Sequence, residues 1–255
     1  MKTRRLATTG VALVAVLGLG LTGCGKQTDS PAADGGTSAA PASSVPADAL
    51  GKLSAAAQKL NQQSMRIKIE SSVLSGGGVM DPANKTGDMT MDLGSQGTFR
   101  MLMLGDDAYM KVTGMTGLPE KWLHMDSTKL GASGQLNLMP EGDPGGVNKL
   151  VKSVVKVEET SAGSFTGTMD YTRSNPDDKD IAALGAKAKE VPFTATVDAE
   201  GRLTKIAVDT SVLHESLGTM TTSYSDFGTE VKVNKPSAAD TQEAPPELIK
   251  AFGGA

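Results

Sequence analysis

The only cysteine of this chain, Cys24, ends the run Leu21-Thr22-Gly23-Cys24. One thiol cannot form an intrachain disulfide, so its chemistry is attachment rather than bridging. The other groups that invite a chemical reading are two pairs of thioethers, Met89/Met91 and Met101/Met103, in a chain with thirteen methionines. Residues two apart on a strand share a face. Such pairs can fill irregular core gaps, form an adaptable wall against a greasy ligand, or offer soft ligands to Cu(I). No histidine or cysteine lies beside them in sequence to complete a copper site. The two histidines, His124 and His214, are far apart, whereas a zinc site wants three or four ligands at recognisable spacing. Asp177, Asp178 and Asp180 open a predicted helix, where carboxylates favour the positive end of its dipole. They lack the pattern of a calcium loop. There is no G-x-S-x-G elbow, P-loop or dinucleotide fingerprint, and Ser133 sits in a glycine-rich stretch with no histidine near it in sequence. The expectation is a protein without catalytic residues, metal ligands or cofactor, and so not an enzyme.

Upstream of Cys24 lie a basic start (Lys2, Arg4, Arg5) and an apolar run from Leu6 to Leu21. That is the charged-then-apolar order of a secretory signal. The run is short for a membrane span, which needs roughly 20 apolar residues. The four residues ending at Cys24 resemble the lipobox of bacterial lipoproteins. The resemblance implies cleavage after residue 23, a diacylglycerol on the Cys24 sulfur, and a mature protein held by lipid on the outer face of the cell membrane. Thr3-Arg4-Arg5 leaves the choice between Sec and twin-arginine export open.

The rest of the chain suits one domain and a tail. The full chain has a net charge of −4 with scattered basic residues, which excludes an electrostatic footprint for nucleic acid. Residues 24–47 are small and polar and bury too little to fold. They read as a tether with a typical span of roughly 25 Å. Residues 48–235 form the folded domain, and 236–255 a polar, Pro-rich tail that is loosely held.

Within the domain, Asp48 is placed to cap a helix running to Gln63, with Leu50, Leu53, Ala57 and Leu60 on one stripe. The period then changes to two. Strands are predicted at Met65–Val73, Asp88–Leu93, Phe99–Met103, Ala108–Val112, Trp122–Met125, Val154–Glu158, Phe165–Thr172, Val191–Val197, Leu203–Val212 and Met220–Phe227, with an edge strand at Glu230–Val233. A loop at Gly131–Gly146, a helical turn at Val147–Lys152 and a helix at Asn175–Ala188 interrupt them. About ten half-exposed antiparallel strands with few helices make an α+β fold, with one sheet face covered.

The order of these elements resembles the actinobacterial lipoproteins of the LppX/LprG type, related in fold to the LolA and LolB carriers. The likeness rests on the lipobox and tether, the helix leading straight into strand Met65–Val73, and the stretch Gly117-Leu118-Pro119-Glu120-Lys121-Trp122-Leu123-His124-Met125-Asp126. The hairpin Val191-Pro192-Phe193-Thr194-Ala195-Thr196-Val197-Asp198-Ala199-Glu200-Gly201-Arg202-Leu203-Thr204-Lys205-Ile206 completes it. The resemblance implies a strongly curved antiparallel sheet, like half a barrel, closed by helices over an apolar cavity that holds acylated lipid or lipoglycan. Parity nominates Ile67, Ile69, Met89, Met91, Met101, Met103, Phe193 and Val197 as its lining. The expected partners are a membrane, through Cys24, and a lipid ligand; protein partners are not indicated. The alternative is a cell-surface interaction or signalling lipoprotein with a filled core, since parity cannot tell a cavity wall from a solid core.

Overall fold

Alternation along the chain becomes one large sheet. The computed structural model describes residues 47–115, 119–129, 147–174 and 179–251. The signal, Cys24, the tether, Ser133, Asp177, Asp178 and the Gly131–Gly146 loop lie outside these residues. The strands are β1 (Met65–Glu70), β2 (Ser75–Asp81), β3 (Thr86–Asp92), β4 (Thr98–Leu104), β5 (Asp107–Thr113), β6 (Trp122–Asp126), β7 (Val154–Ser161), β8 (Ser164–Met169), β9 (Val191–Val197), β10 (Leu203–Asp209), β11 (Thr219–Ser225) and β12 (Thr241–Glu243). Their order is β12-β6-β5-β4-β3-β2-β1-β11-β10-β9-β8-β7. All neighbours are antiparallel except β12, which runs parallel to β6. The sheet does not close. Its edges are blunted by a three-residue strand, β12, and by register shifts in β7.

Ten of these strands follow the predicted pattern, with shorter ends where a side chain turns the backbone. β1 stops at Glu70 because Ser71 Oγ accepts from the amides of Val73 and Leu74. β8 stops at Met169 because the Asp170 carboxylate accepts from the Thr172 amide and hydroxyl, opening helix α3 (Tyr171–Ser174). β10 stops at Asp209, whose carboxylate accepts from the Ser211 amide. The helix expected at Asn175–Ala188 is, in its described part, a short α4 (Lys179–Ala183) and a 3-10 segment, Gly185–Lys189. The remaining helices are α1 (Ala47–Gln58), α2 (Val147–Ser153) and α5 (Pro246–Ala251). Asp48 lies inside the first turn of α1 and pairs with Lys52 at 3.1 Å instead of capping from outside.

Two strands have no counterpart in the periodicity. β2 is Ser-Gly-Gly-Gly-Val-Met-Asp, whose glycines carry no strand preference. β12 lies in the expected tail, while Glu230–Val233, the edge strand expected just before it, has no strand structure. The tail expected to be loose, 236–255, is attached in its described part: Lys121 donates to the Ala239 carbonyl at 2.9 Å and the Ala244 amide to the His124 carbonyl at 2.8 Å. The chain leading to it is docked as well. Gly228 donates its amide to the Ser64 carbonyl at 2.9 Å, Arg66 pairs with Asp226 at 2.7 Å, and the Lys235 ammonium lies 5.6 Å from the centre of the Tyr109 ring. Tyr109 and Leu102 have the outer-face parity of β5 and β4, yet they are buried. The chain after β11 therefore docks against the outer face of the sheet and ends in β12 and α5 at its edge.

The inner face is a set of registered rows. One runs Met65, Met80, Gly87, Met103, Ala108, Met125 from β1 to β6; the next runs Ile67, Gly78, Met89, Met101, Met110, Leu123. Ala49, Leu53, Ala56, Ala57 and Leu60 bury the apolar stripe of α1 and the turn after it in the same core. Removing each such leucine from water contributes about 1.5–3 kcal/mol.

Two glycine substitutions should have opposite signs. A Cβ at Gly78 would lie 1.8 Å from the Asp88 carbonyl oxygen, so Gly78→Ala should destabilise by about 1–3 kcal/mol. A Cβ at Gly51, on the exposed side of α1, meets nothing within 4 Å, and Gly51→Ala should stabilise by about 0.5–1 kcal/mol. Denaturant melts of the two variants check both.

Candidate functional site

The glycines of β2 leave a gap in the inner face. Ile69 faces Gly76, which faces Met91; Ile67 faces Gly78, which faces Met89. Neither glycine projects a side chain, so the isoleucines of β1 and the methionines of β3 border open space. There the structure holds a hollow of about 340 Å³, lined by Leu60, Met65, Ile67, Ile69, Met80, Met89, Met91, Phe99, Thr222 and Tyr224. That volume is at the lower end of the range for small-molecule sites. A second hollow of about 260 Å³ shares Leu60, Thr222 and Tyr224 with it and continues towards Leu150, Met169, Tyr171, Ile206, Val208 and Met220. The Met91 sulfur stands over Gly76, 2.7 Å from where a Cβ would be. A thioether there is an adaptable wall.

Only two side chains of the first hollow carry polar atoms, Thr222 and Tyr224, both on β11 and two residues apart. They face Ile69 and Ile67 across the β1–β11 ladder. Burial pushes the Tyr224 phenol up to about 12, so it stays a neutral donor at any ordinary pH. Burial also raises the Tyr171 phenol in the second hollow.

Of the eight residues nominated from parity, Ile67, Ile69, Met89 and Met91 line the first hollow. Met101, Met103 and Phe193 are packed in the solid core with exposures of 0–3%, and Val197 packs against it. They share the inner parity but stand away from the hollow; Met103 and Phe193 are buried although they face Gly87 and Gly167. Leu60, Met65, Met80, Phe99, Thr222 and Tyr224 also form the wall. The alternation Met220, Thr222, Tyr224 was a usable signal for the last two; nothing in the local sequence marks Leu60 as more than helix core.

A different, polar pocket of about 500 Å³ lies at the β6 edge, between Asp106, Asp107, His124, Met125, Asp126, Thr128, Glu243 and Ile249. His124 is held from both sides, with Nδ1 2.8 Å from Glu243 of β12 and Nε2 2.6 Å from Asp107 of β5. Burial opposes a charge on this imidazole, but the two carboxylates outweigh it and the net shift is above the ordinary 6.5. The ring also lies 4.9 Å from that of Tyr109. His214 has a local role: its Nδ1 accepts from the Ser216 amide at 3.3 Å. Among the described residues no group of three His, Cys, Asp or Glu is arranged to hold a metal, and no helix is long and apolar enough to cross a membrane.

No protein-family model matches the chain, and no curated protein matches it. Among solved structures the chain is similar to the Mycobacterium tuberculosis lipoprotein LppX, at 16% identity and a TM-score of 0.47, over 74% of this chain and 100% of that one.

The His124 clamp gives the attachment of β12 a definite pH dependence. Its folded pKa is raised, so the stabilisation is fully present below the unfolded value near 6.5 and is lost as pH rises through the folded one. The Ala244 amide donates to the His124 carbonyl at 2.8 Å. Its hydrogen-exchange protection, corrected for the intrinsic rate, should fall as pH rises above about 6.5. His124→Gln should flatten that fall.

Proposed function

We propose that this chain is a non-enzymatic lipoprotein that binds or carries an acylated lipid or lipoglycan at the cell envelope. In this reading the sheet curls as half a barrel and α1 closes over its inner side. Cys24, acylated and tethered by residues 25–47, keeps the binding face beside the outer leaflet of the cell membrane. The observation that carries the proposal is the apolar hollow between β1, β3 and β11, left open by Gly76 and Gly78.

The physical task is shielding. Every CH₂ drawn from a bilayer into water exposes surface worth about 0.8 kcal/mol. A hollow with eight apolar residues among its ten lining residues removes that penalty along the part of the chain it covers. The methionines bend to fit chains of different shape at small energetic cost, as suits a carrier that must also release its load. The packing of Met101, Met103 and Phe193 favours the second reading, an interaction or signalling lipoprotein whose interior is filled.

Two substitutions separate the readings. Met91→Trp places bulk in the hollow and should abolish stoichiometric lipid carried through gentle native mass spectrometry, with stability nearly unchanged. Met101→Trp, at a site with no exposure, should destabilise by about 1–3 kcal/mol. If protein recovered from native membranes carries no lipid, or if Met91→Trp costs as much stability as Met101→Trp, the filled-core reading replaces the carrier. The anchor is checked separately. Cys24→Ser should leave the precursor uncut and without the mass of a diacylglycerol, and a mature, acylated product from this variant would exclude Cys24 as the lipid site.

A further inference from the structure

Thr222 and Tyr224 are the anomaly of the hollow. Both point inward from β11, opposite Ile69 and Ile67, and both lie where the two hollows meet, on the wall they share with Leu60. Among the described residues neither hydroxyl has a protein hydrogen-bond partner, and both residues are only half-buried, so each hydroxyl is reachable from the hollow. A core that needed only bulk here would gain by valine and phenylalanine, which have the same shapes without a polar group to satisfy. In the empty hollow water can match these hydroxyls; once hydrocarbon displaces it, each is matched only by an acceptor on the ligand.

Resting on the lipid-binding reading, we propose that the Thr222 and Tyr224 hydroxyls donate hydrogen bonds to a carbonyl oxygen of the bound lipid, so that the site prefers acyl esters to ether-linked chains of the same length. A carbonyl oxygen offers two lone pairs, enough for both donors. An ether oxygen between two chains is the weaker and more crowded acceptor. The hydroxyls would thereby set the register of the ligand, placing its ester linkage at the shared wall and its hydrocarbon in the hollows. They act as specificity residues, with affinity for the chains themselves left to the apolar lining.

The test is a competition. The full chain in detergent micelles is offered equal amounts of dihexadecanoyl phosphatidylcholine and its dihexadecyl ether analogue, and the retained lipid is weighed by native mass spectrometry. The expected ester preference is about 3- to 10-fold for each hydrogen bond gained. Tyr224→Phe should reduce it, and Thr222→Val with Tyr224→Phe should erase it by lowering retention of the ester. Equal retention of the two lipids by the unaltered protein overturns the proposal. So does an ester preference that survives in the double variant. Should the double variant not fold, the ratio for the unaltered protein and its change in Tyr224→Phe alone decide. Retention of neither lipid overturns the lipid-binding reading itself, an outcome distinct from equal retention of both.

Discussion

Space between strands is governed by what stands on them, and in this sheet two missing side chains govern the rest. Gly76 and Gly78 occupy inner positions between the isoleucines of β1 and the methionines of β3. The backbone comes so close there that a Cβ at either would overlap a neighbouring carbonyl oxygen. Tight backbone and absent side chains are one arrangement. Strands β1 to β3 stay paired through a run with little intrinsic strand preference because flanking strands on both sides hold the register. The gap left above the glycines is bounded by thioether, isoleucine, phenylalanine and two hydroxyls.

Methionine shows how one residue type serves two ends. Met101, Met103, Met110 and Met125 are buried in the β4–β6 region. Met89 and Met91 have the same inward direction but stand beside glycines, and they border the hollow. Their chemistry is identical; Met103 also faces a glycine, Gly87, yet lies in the core, so place in the sheet decides the part each plays. Phe193 faces Gly167, but its own ring fills the place of the missing side chain, lying 2.7 Å from where a Cβ would be.

The outer face carries a second layer of organisation. The segment after β11 passes against it, buries Leu102 and Tyr109, and is fastened at the edge by the imidazole of His124 between two carboxylates. This covers the β6 edge with a short parallel strand and leaves fewer unpaired backbone groups to template association with other chains. Ion pairs on such exposed surface each contribute little. The strap is held by the sum of a ring contact, buried apolar residues such as Ala244, and backbone hydrogen bonds.

Local periodicity carried much of this protein openly. Ten strands, the first helix and the inward parity of Ile67, Ile69, Met89 and Met91 were legible because alternation at period two and a stripe at period 3.6 are properties of neighbouring residues. β2 was hidden, since glycine says nothing about period, and β12 was hidden because its pairing with β6 depends on residues more than a hundred positions away. Which inward residues border open space, and that Thr222 and Tyr224 share a wall with Leu60, followed only from register across β1, β2, β3 and β11. Parity is written in the chain one residue at a time, whereas a hollow exists only in the mismatch of side-chain volumes on strands brought together by the fold.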